Sequence, residues 1–132
     1  MKEVLDFLVE GRVFYLATAE GDQPRVRPMG FAMEYDGKLC MCSNNTKRMF
    51  AHMKANPKIE LCCATADGKW LRVFGKFESI PNVEAKKKAF EVMPVLANMY
   101  KVDDGIFEIF AIVDATATFS SMTDGDIKTI TF

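Results

Sequence analysis

Histidine and tryptophan each occur only once in the 132 residues, and neither charge sign prevails. The 17 basic and 18 acidic side chains leave a formal charge of −1. Such a balance offers nothing to drive the counterion release that holds a protein on a polyanion, so nucleic-acid binding is not expected. The single histidine, His52, has no serine or aspartate pattern around it that would make a hydrolytic triad. No apolar stretch approaches the roughly 20 residues of a membrane helix. Glu3, Asp6 and Glu10 interrupt the first residues, MKEVLDFLVEGR, where a signal peptide would need an apolar core. There is no Walker loop and no G-x-G-x-x-G, and no long internal repeat.

The composition that remains is that of a folded chain. Hydrophobic residues make up 49% and charged residues 27%, which excludes intrinsic disorder. A chain of this length can bury about two-thirds of its surface, enough for one domain over 1–132. Methionine (9) and phenylalanine (11) are abundant, both large adaptable surfaces suited to cores, cofactor pockets and subunit contacts. The four cysteines form two tight pairs, Cys40 with Cys42 and Cys62 with Cys63. Adjacent strand residues point to opposite faces, which makes a poor disulfide framework and predicts free thiols in a reducing cytoplasm. The spacing also lacks the zinc-knuckle pattern, so no metal is expected.

Periodicity predicts a short amphipathic helix over 2–10, where Val4, Leu5, Leu8 and Val9 share a face. Strands follow over 13–19, 24–35 and 38–43. Turn chemistry at 20–23 and the Asp36-Gly37 pair link them as hairpins. Asn44-Asn45-Thr46 then offers capping side chains to a helix of about three turns that stops near Asn56-Pro57. Strands over 58–64 and 70–80 flank the turn at Asp67-Gly68. A lysine-studded helix covers 83–93, and a turn or short helix runs to Tyr100. A long strand over 106–120, bent near Asp114, and a last strand over 127–132 complete the chain. About seven hairpin-joined strands without βαβ alternation predict a mainly β fold with helical insertions, an antiparallel barrel.

Three constellations could carry chemistry. Arg25 and Arg27 share one strand face just after a turn. They call for an anion between them, for solvent, or for carboxylates such as Glu34 or Glu60. Pro28 beside them removes a ladder donor, so this strand lies at an edge, is bulged, or turns toward a ligand. The second is Ser43-Asn44-Asn45-Thr46-Lys47-Arg48, where a strand ends and a helix begins with two cations. Cations at a helix N-terminus oppose the macrodipole by about 0.3–1 kcal/mol each. A phosphate there reverses the sign, accepting from backbone N–H groups, the Thr46 hydroxyl and the Lys47 ammonium. The third is Trp70 with Arg72, where the indole either covers a flat ring or caps the core. Lys86-Lys87-Lys88 reads as the wet face of a helix.

The strings YLATAEGDQPRVRPMGF (15–31), GKLCMCSNNTKRMFAHMKANPKIEL (37–61), GKWLRVFGK (68–76) and DDGIFEIFAI (103–112) together resemble the pyridoxamine 5′-phosphate oxidase-like FMN-binding split-barrel family. The likeness spans nearly the whole chain and is similar in scale to the small single-domain bacterial branch. It implies an antiparallel split β-barrel that forms a homodimer with FMN at the subunit interface. Arg27, Pro28, Met29 and Gly30, with Arg25 close by, would lie along the flavin. Cys42, Ser43, Asn44, Thr46, Lys47 and Arg48 would hold its edge and phosphate, and Trp70 would come from the partner subunit. The family's vitamin B6-forming members carry a tryptophan and an R-L-H-x-R type motif in their C-terminal segment. FSSMTDGDIKTITF contains neither, so vitamin B6 synthesis is not expected. The resemblance thus implies an FMN-dependent oxidoreductase acting on a small molecule, with a nicotinamide donor, NAD(P)H. The alternative is a flavin or haem carrier on the same barrel.

Overall fold

A computed structural model describes residues 1–132. Eight strands form one antiparallel sheet: β1 (Phe14–Glu20), β2 (Gln23–Met29), β3 (Met33–Tyr35), β4 (Lys38–Asn44), β5 (Lys58–Ala64), β6 (Lys69–Ile80), β7 (Phe107–Ser121) and β8 (Gly125–Thr131). Helices α1 (Lys2–Gly11), α2 (Arg48–Ala55) and α3 (Val83–Val92), with a 3-10 turn over Pro94–Asn98, are inserted between them. The architecture is the expected mainly β one. The count is eight strands rather than seven, because the segment expected as one strand over 24–35 breaks at residues 30–32 into β2 and β3.

That break explains the shape. The strands are ordered β2-β1-β5-β6-β7-β4-β3, with β8 added alongside β7. β2 and β3 therefore stand at opposite edges of the sheet, yet only three residues join them. Four Cα steps reach at most about 14 Å, so the sheet must curl until its edges nearly meet. No ladder bonds cross this seam, since β2 pairs only with β1 and β3 only with β4. Pro24 and Pro28 on β2 fit an edge strand, whose outward N–H groups have no partner to lose.

The curled sheet separates two apolar regions. Inside it, Leu16, Leu39, Met41, Leu61, Val73 and Phe110 pack with Val4 and Leu8 of α1, which plugs one end. α2 adds Met49, Phe50 and Met53 to the same core. Outside β4 and β7, Ala85 and Ala89 of α3 and Leu96 cover Phe107, Ile109 and Ala111. β7 serves both, since its successive side chains alternate between faces. The outer face of β1, β2 and β6 has no such cover: Tyr15, Val26 and Phe74 remain more than half exposed.

Two backbone features pin this arrangement. The expected bend at Asp114 is present, with φ of 48°, opposite a register shift between Phe74 and Lys76. Gly75 sits in that bulge because a Cβ there would come within 2.6 Å of the Val113 carbonyl oxygen. At the end of α1, Arg12 has φ 67° and ψ −49°, and the Val13 N–H donates to the Gly11 carbonyl at 2.8 Å. This is a γ-turn with positive φ, a rare and strained conformation for a residue with a side chain. Such strain costs about 1–3 kcal/mol and persists only where the surroundings enforce it. Here Gly11 abuts the Cys63 thiol too closely for a Cβ, and that thiol donates to the Val13 carbonyl at 3.5 Å.

Candidate functional site

The seam opens into a cavity of about 690 Å³. One wall is the end of β2 and the crossing segment, with Arg27, Pro28, Met29, Gly30 and Phe31. The opposite wall is the end of β4 and the start of α2, with Cys42, Ser43, Thr46, Lys47 and Arg48. Two stretches eleven residues apart in sequence thus meet where the sheet edges approach. The tertiary structure gathers nine of the twelve candidate residues into one lining.

The other three lie elsewhere. Arg25 turns away to Glu20, donating from Nε at 3.2 Å and from Nη2 at 2.9 Å to the same carboxylate oxygen. Its partner is therefore Glu20 rather than Glu34 or Glu60, because β1 and β2 form a hairpin that brings these two side chains together. Asn44 stands behind the cavity wall, where its Oδ1 accepts from the Thr46 backbone N–H at 2.9 Å and from the Thr46 hydroxyl. It shapes the turn that enters α2. Trp70 is half-buried at the start of β6, paired with Ala64 and Ser120, away from this cavity.

The cations in the lining differ in their surroundings. Arg27 Nη1 donates to the Thr18 hydroxyl at 2.8 Å and to the Leu16 carbonyl at 3.1 Å, and partial burial lowers its pKa from the ordinary value. It remains a fixed guanidinium with no carboxylate partner. Lys47 is the N-cap of α2 and forms no ion pair. No acidic residue occupies the first turn of that helix. Arg48 reaches Glu20 at 3.5 Å and is otherwise exposed. Glu20 is thus an anchor for Arg25, Arg48 and His52. The hydrogen bond from Arg25, followed by that of His52, holds its carboxyl below the usual carboxylate range.

Two further polar groups are informative. Ser43 Oγ is buried with no hydrogen-bond partner in the protein, although Ser43 lines the cavity. A buried hydroxyl left unsatisfied costs about 1–3 kcal/mol, so this atom is one a ligand can satisfy. Cys42 is the opposite case: burial pushes its thiol up to about 11, against a smaller lowering by Lys47. It contributes bulk to the wall rather than a nucleophile. All four cysteines are free.

The far wall was not legible in the sequence. Met93, Leu96, Met99 and Tyr100, from the end of α3 and the following 3-10 turn, complete the lining with Met49 of α2. Their one signal was the methionine excess, which carries no position. A second cavity, about 540 Å³, lies on the uncovered outer face, between Lys58, Glu60, Phe74 and Lys76. No helix is long and apolar enough to cross a membrane.

The comparisons bear on the fold and the family. A NimC/NimA family protein from Clostridium acetobutylicum superposes with a TM-score of 0.92 at 45% identity, over 98% of this chain and 93% of that one. The general stress protein 26 of Bacillus anthracis shares the fold at 16% identity, with a TM-score of 0.74 over 99% and 98% of the two chains. An FAD-binding protein of Mesorhizobium loti does so at 21% identity, with a TM-score of 0.63 over 91% and 94%. No curated protein matches the chain. The sequence model described as pyridoxamine 5′-phosphate oxidase matches residues 1–118. With the split barrel and the seam cavity in place, that match is decisive: the chain belongs to the pyridoxamine 5′-phosphate oxidase family.

Proposed function

We propose that this chain is a single-domain flavoprotein that binds FMN in the seam cavity and acts as an oxidoreductase on a small molecule. One observation carries the reading. Arg27 and Lys47 line the same cavity, neither faces a carboxylate, and the buried Ser43 Oγ near the end of β4 lacks a partner. Two unpaired cations beside a helix N-terminus suit a phosphate, which supplies the charge and the acceptors that these groups lack. The apolar side of the lining, from Met29, Met49 and Met93 to Tyr100, suits a flat heteroaromatic ring. Bound there, a flavin supplies hydride or electron transfer. The protein's own part is to fix the phosphate with Arg27, Lys47 and Thr46 and to keep water from the ring with its methionines. His52, the only histidine available as a haem ligand, is turned to Glu20 and does not line the cavity, which favours flavin over haem.

The working molecule in this proposal is a homodimer. Tyr15, Val26 and Phe74 form an exposed apolar surface on the one barrel face that no helix covers. A second copy seated there would bury these side chains, and Trp70 with Arg72 lie on the same outer face of β6. NAD(P)H is the proposed donor and the reducing cytoplasm the proposed location.

The test is direct. Purified protein should take up FMN and show flavin absorption, and anaerobic NADPH or NADH should bleach it at a catalytic rate. Binding without bleaching would support the carrier reading instead, while a protein that takes up no FMN would remove both. Arg27→Ala combined with Lys47→Ala should weaken FMN binding, at about 1.5–3 kcal/mol for each charge-assisted contact. Pyridoxamine 5′-phosphate should not be turned over.

A further inference from the structure

The wall of the seam cavity formed by residues 93–100 is apolar except at one point. Met93, Leu96 and Met99 carry no side-chain donor, and Tyr100 supplies the hydroxyl. Tyr100 is half-buried and firmly held. Its ring packs on the fully buried Phe107, with centroids 4.8 Å apart and planes inclined by 30°. Its backbone N–H donates to the Leu96 carbonyl at 3.0 Å. Its hydroxyl oxygen accepts a long hydrogen bond from Asn44 Nδ2 at 3.4 Å.

The direction of that bond is fixed from its other end. Asn44 Oδ1 already accepts from the Thr46 backbone N–H at 2.9 Å and from the Thr46 hydroxyl. Only the amide nitrogen is left to face Tyr100, and it donates but does not accept. The phenol oxygen is therefore the acceptor, and its own proton has no acceptor in the protein. The loop that follows is clamped to the same turn: Asn45 Nδ2 donates to the Gly105 carbonyl at 2.8 Å and to Glu108 at 2.9 Å. The wall thus stands preformed, with one free O–H proton among apolar side chains.

We infer that Tyr100 donates this proton to a neutral carbonyl oxygen on a flat ligand in the seam cavity. Apolar neighbours with a single polar group suit a ring that carries a carbonyl. No cation stands on this wall, which disfavours a carboxylate or a phosphate here. Two sources share the chemistry: a carbonyl of the flavin ring itself, or that of a small molecule bound beside it. The first rests on the flavin reading; the donor does not.

The test compares the unmodified protein with Tyr100→Phe, which keeps the ring on Phe107 and removes only the hydroxyl. Its melting temperature should change little. FMN is titrated into both proteins, and acetophenone, a neutral flat ketone, into both with and without FMN. Loss of one neutral hydrogen bond should weaken the ligand that accepts it about three- to tenfold. In the infrared, the carbonyl stretch of that ligand should lie lower in the unmodified protein than in Tyr100→Phe. A loss confined to FMN assigns the flavin carbonyl, and a loss confined to acetophenone assigns the second ligand. Asn44→Asp is the second variant. Its carboxylate keeps an acceptor for Thr46 and turns another oxygen to Tyr100, which takes the free proton. The infrared shift should vanish there as it does in Tyr100→Phe. The inference is overturned if neither ligand distinguishes the unmodified protein from folded Tyr100→Phe, in affinity or in carbonyl frequency. Should that variant not fold, a shift that persists in Asn44→Asp overturns it. If no FMN is taken up but acetophenone binding depends on Tyr100, the flavin reading fails and the donor stands. If FMN is taken up and neither ligand depends on Tyr100, the reverse holds.

Discussion

His52 Nε2 lies 2.9 Å from Glu20 Oε2, joining the middle of α2 to the end of β1 across 32 residues of sequence. The same carboxylate receives Arg25 and reaches Arg48. Glu20 therefore ties the β1–β2 hairpin to the helix that carries Lys47, and so sets the spacing of the two cavity walls.

The pH behaviour of this anchor follows from its sign. The Glu20 carboxyl is held below its ordinary pKa of 4.5, chiefly by Arg25 and then by His52. Its stabilising contribution is complete above the unfolded value and is lost as the pH falls through the folded one. Glu20→Gln should lower the melting temperature at pH 7, and the difference from the unmodified protein should close on acidification below about pH 4. A melting-temperature series across pH checks this, and a difference that persists undiminished at pH 3 contradicts it.

Ser43 should show opposite effects on stability and affinity. Its buried hydroxyl has no partner within the protein. Ser43→Ala should stabilise the flavin-free protein by about 1 kcal/mol. It should also weaken FMN binding by a similar amount, since the ligand loses a hydrogen bond. Urea unfolding and FMN titration measure the two. A variant that is less stable and binds FMN unchanged means that the hydroxyl does not meet the ligand.

Gly75→Ala places a Cβ 2.6 Å from the Val113 oxygen and 2.9 Å from Ile112 Cγ1. Backbone forms one side of this contact, so side-chain rotation cannot relieve it. Destabilisation of about 2–3 kcal/mol is expected, the scale of overpacking in a filled core. Equilibrium unfolding reads it as a lower midpoint.

The thiols of Cys40, which is buried, and Cys42, which is half-buried, should resist alkylation. Burial pushes both Cys40 and Cys42 up to about 11. Native protein at pH 8 should lose little thiol to iodoacetamide at these positions, and the rate should climb tenfold per pH unit toward that value. Unfolded protein should react as ordinary cysteine does, with a pKa near 8.5. Folded-state pKa values above the unfolded ones also mean that stability declines as the pH rises through this range. Fast modification of Cys42 at pH 8 would show an open or mobile cavity wall.

Much of the fold was written locally. Asp36-Gly37 and the strand alternations around it specify a hairpin, and both residues adopt the expected positive φ, 52° and 73°. The helix ahead of Asn56-Pro57 is equally local in its apolar spacing and its stop, but it runs about two turns rather than three, and Lys47 takes the N-cap in place of Asn44, Asn45 or Thr46, with no side-chain cap bond. Nine of the twelve candidate residues share one cavity lining, and they come from two short motifs. The strand break at residues 30–32 was less legible, since Phe31 and Ala32 continue the apolar pattern of a strand.

What the sequence by itself determined was the order of the elements, the faces they bury and the candidate residues for a phosphate. The tertiary structure decided which of those residues meet. It gave Arg25 to Glu20, put Trp70 on another face, and brought the 93–100 segment over the cavity. The reason is physical: periodicity fixes which side of a strand or helix a residue occupies. Its partner across space depends on how the eight-stranded sheet curls to bring its edges together.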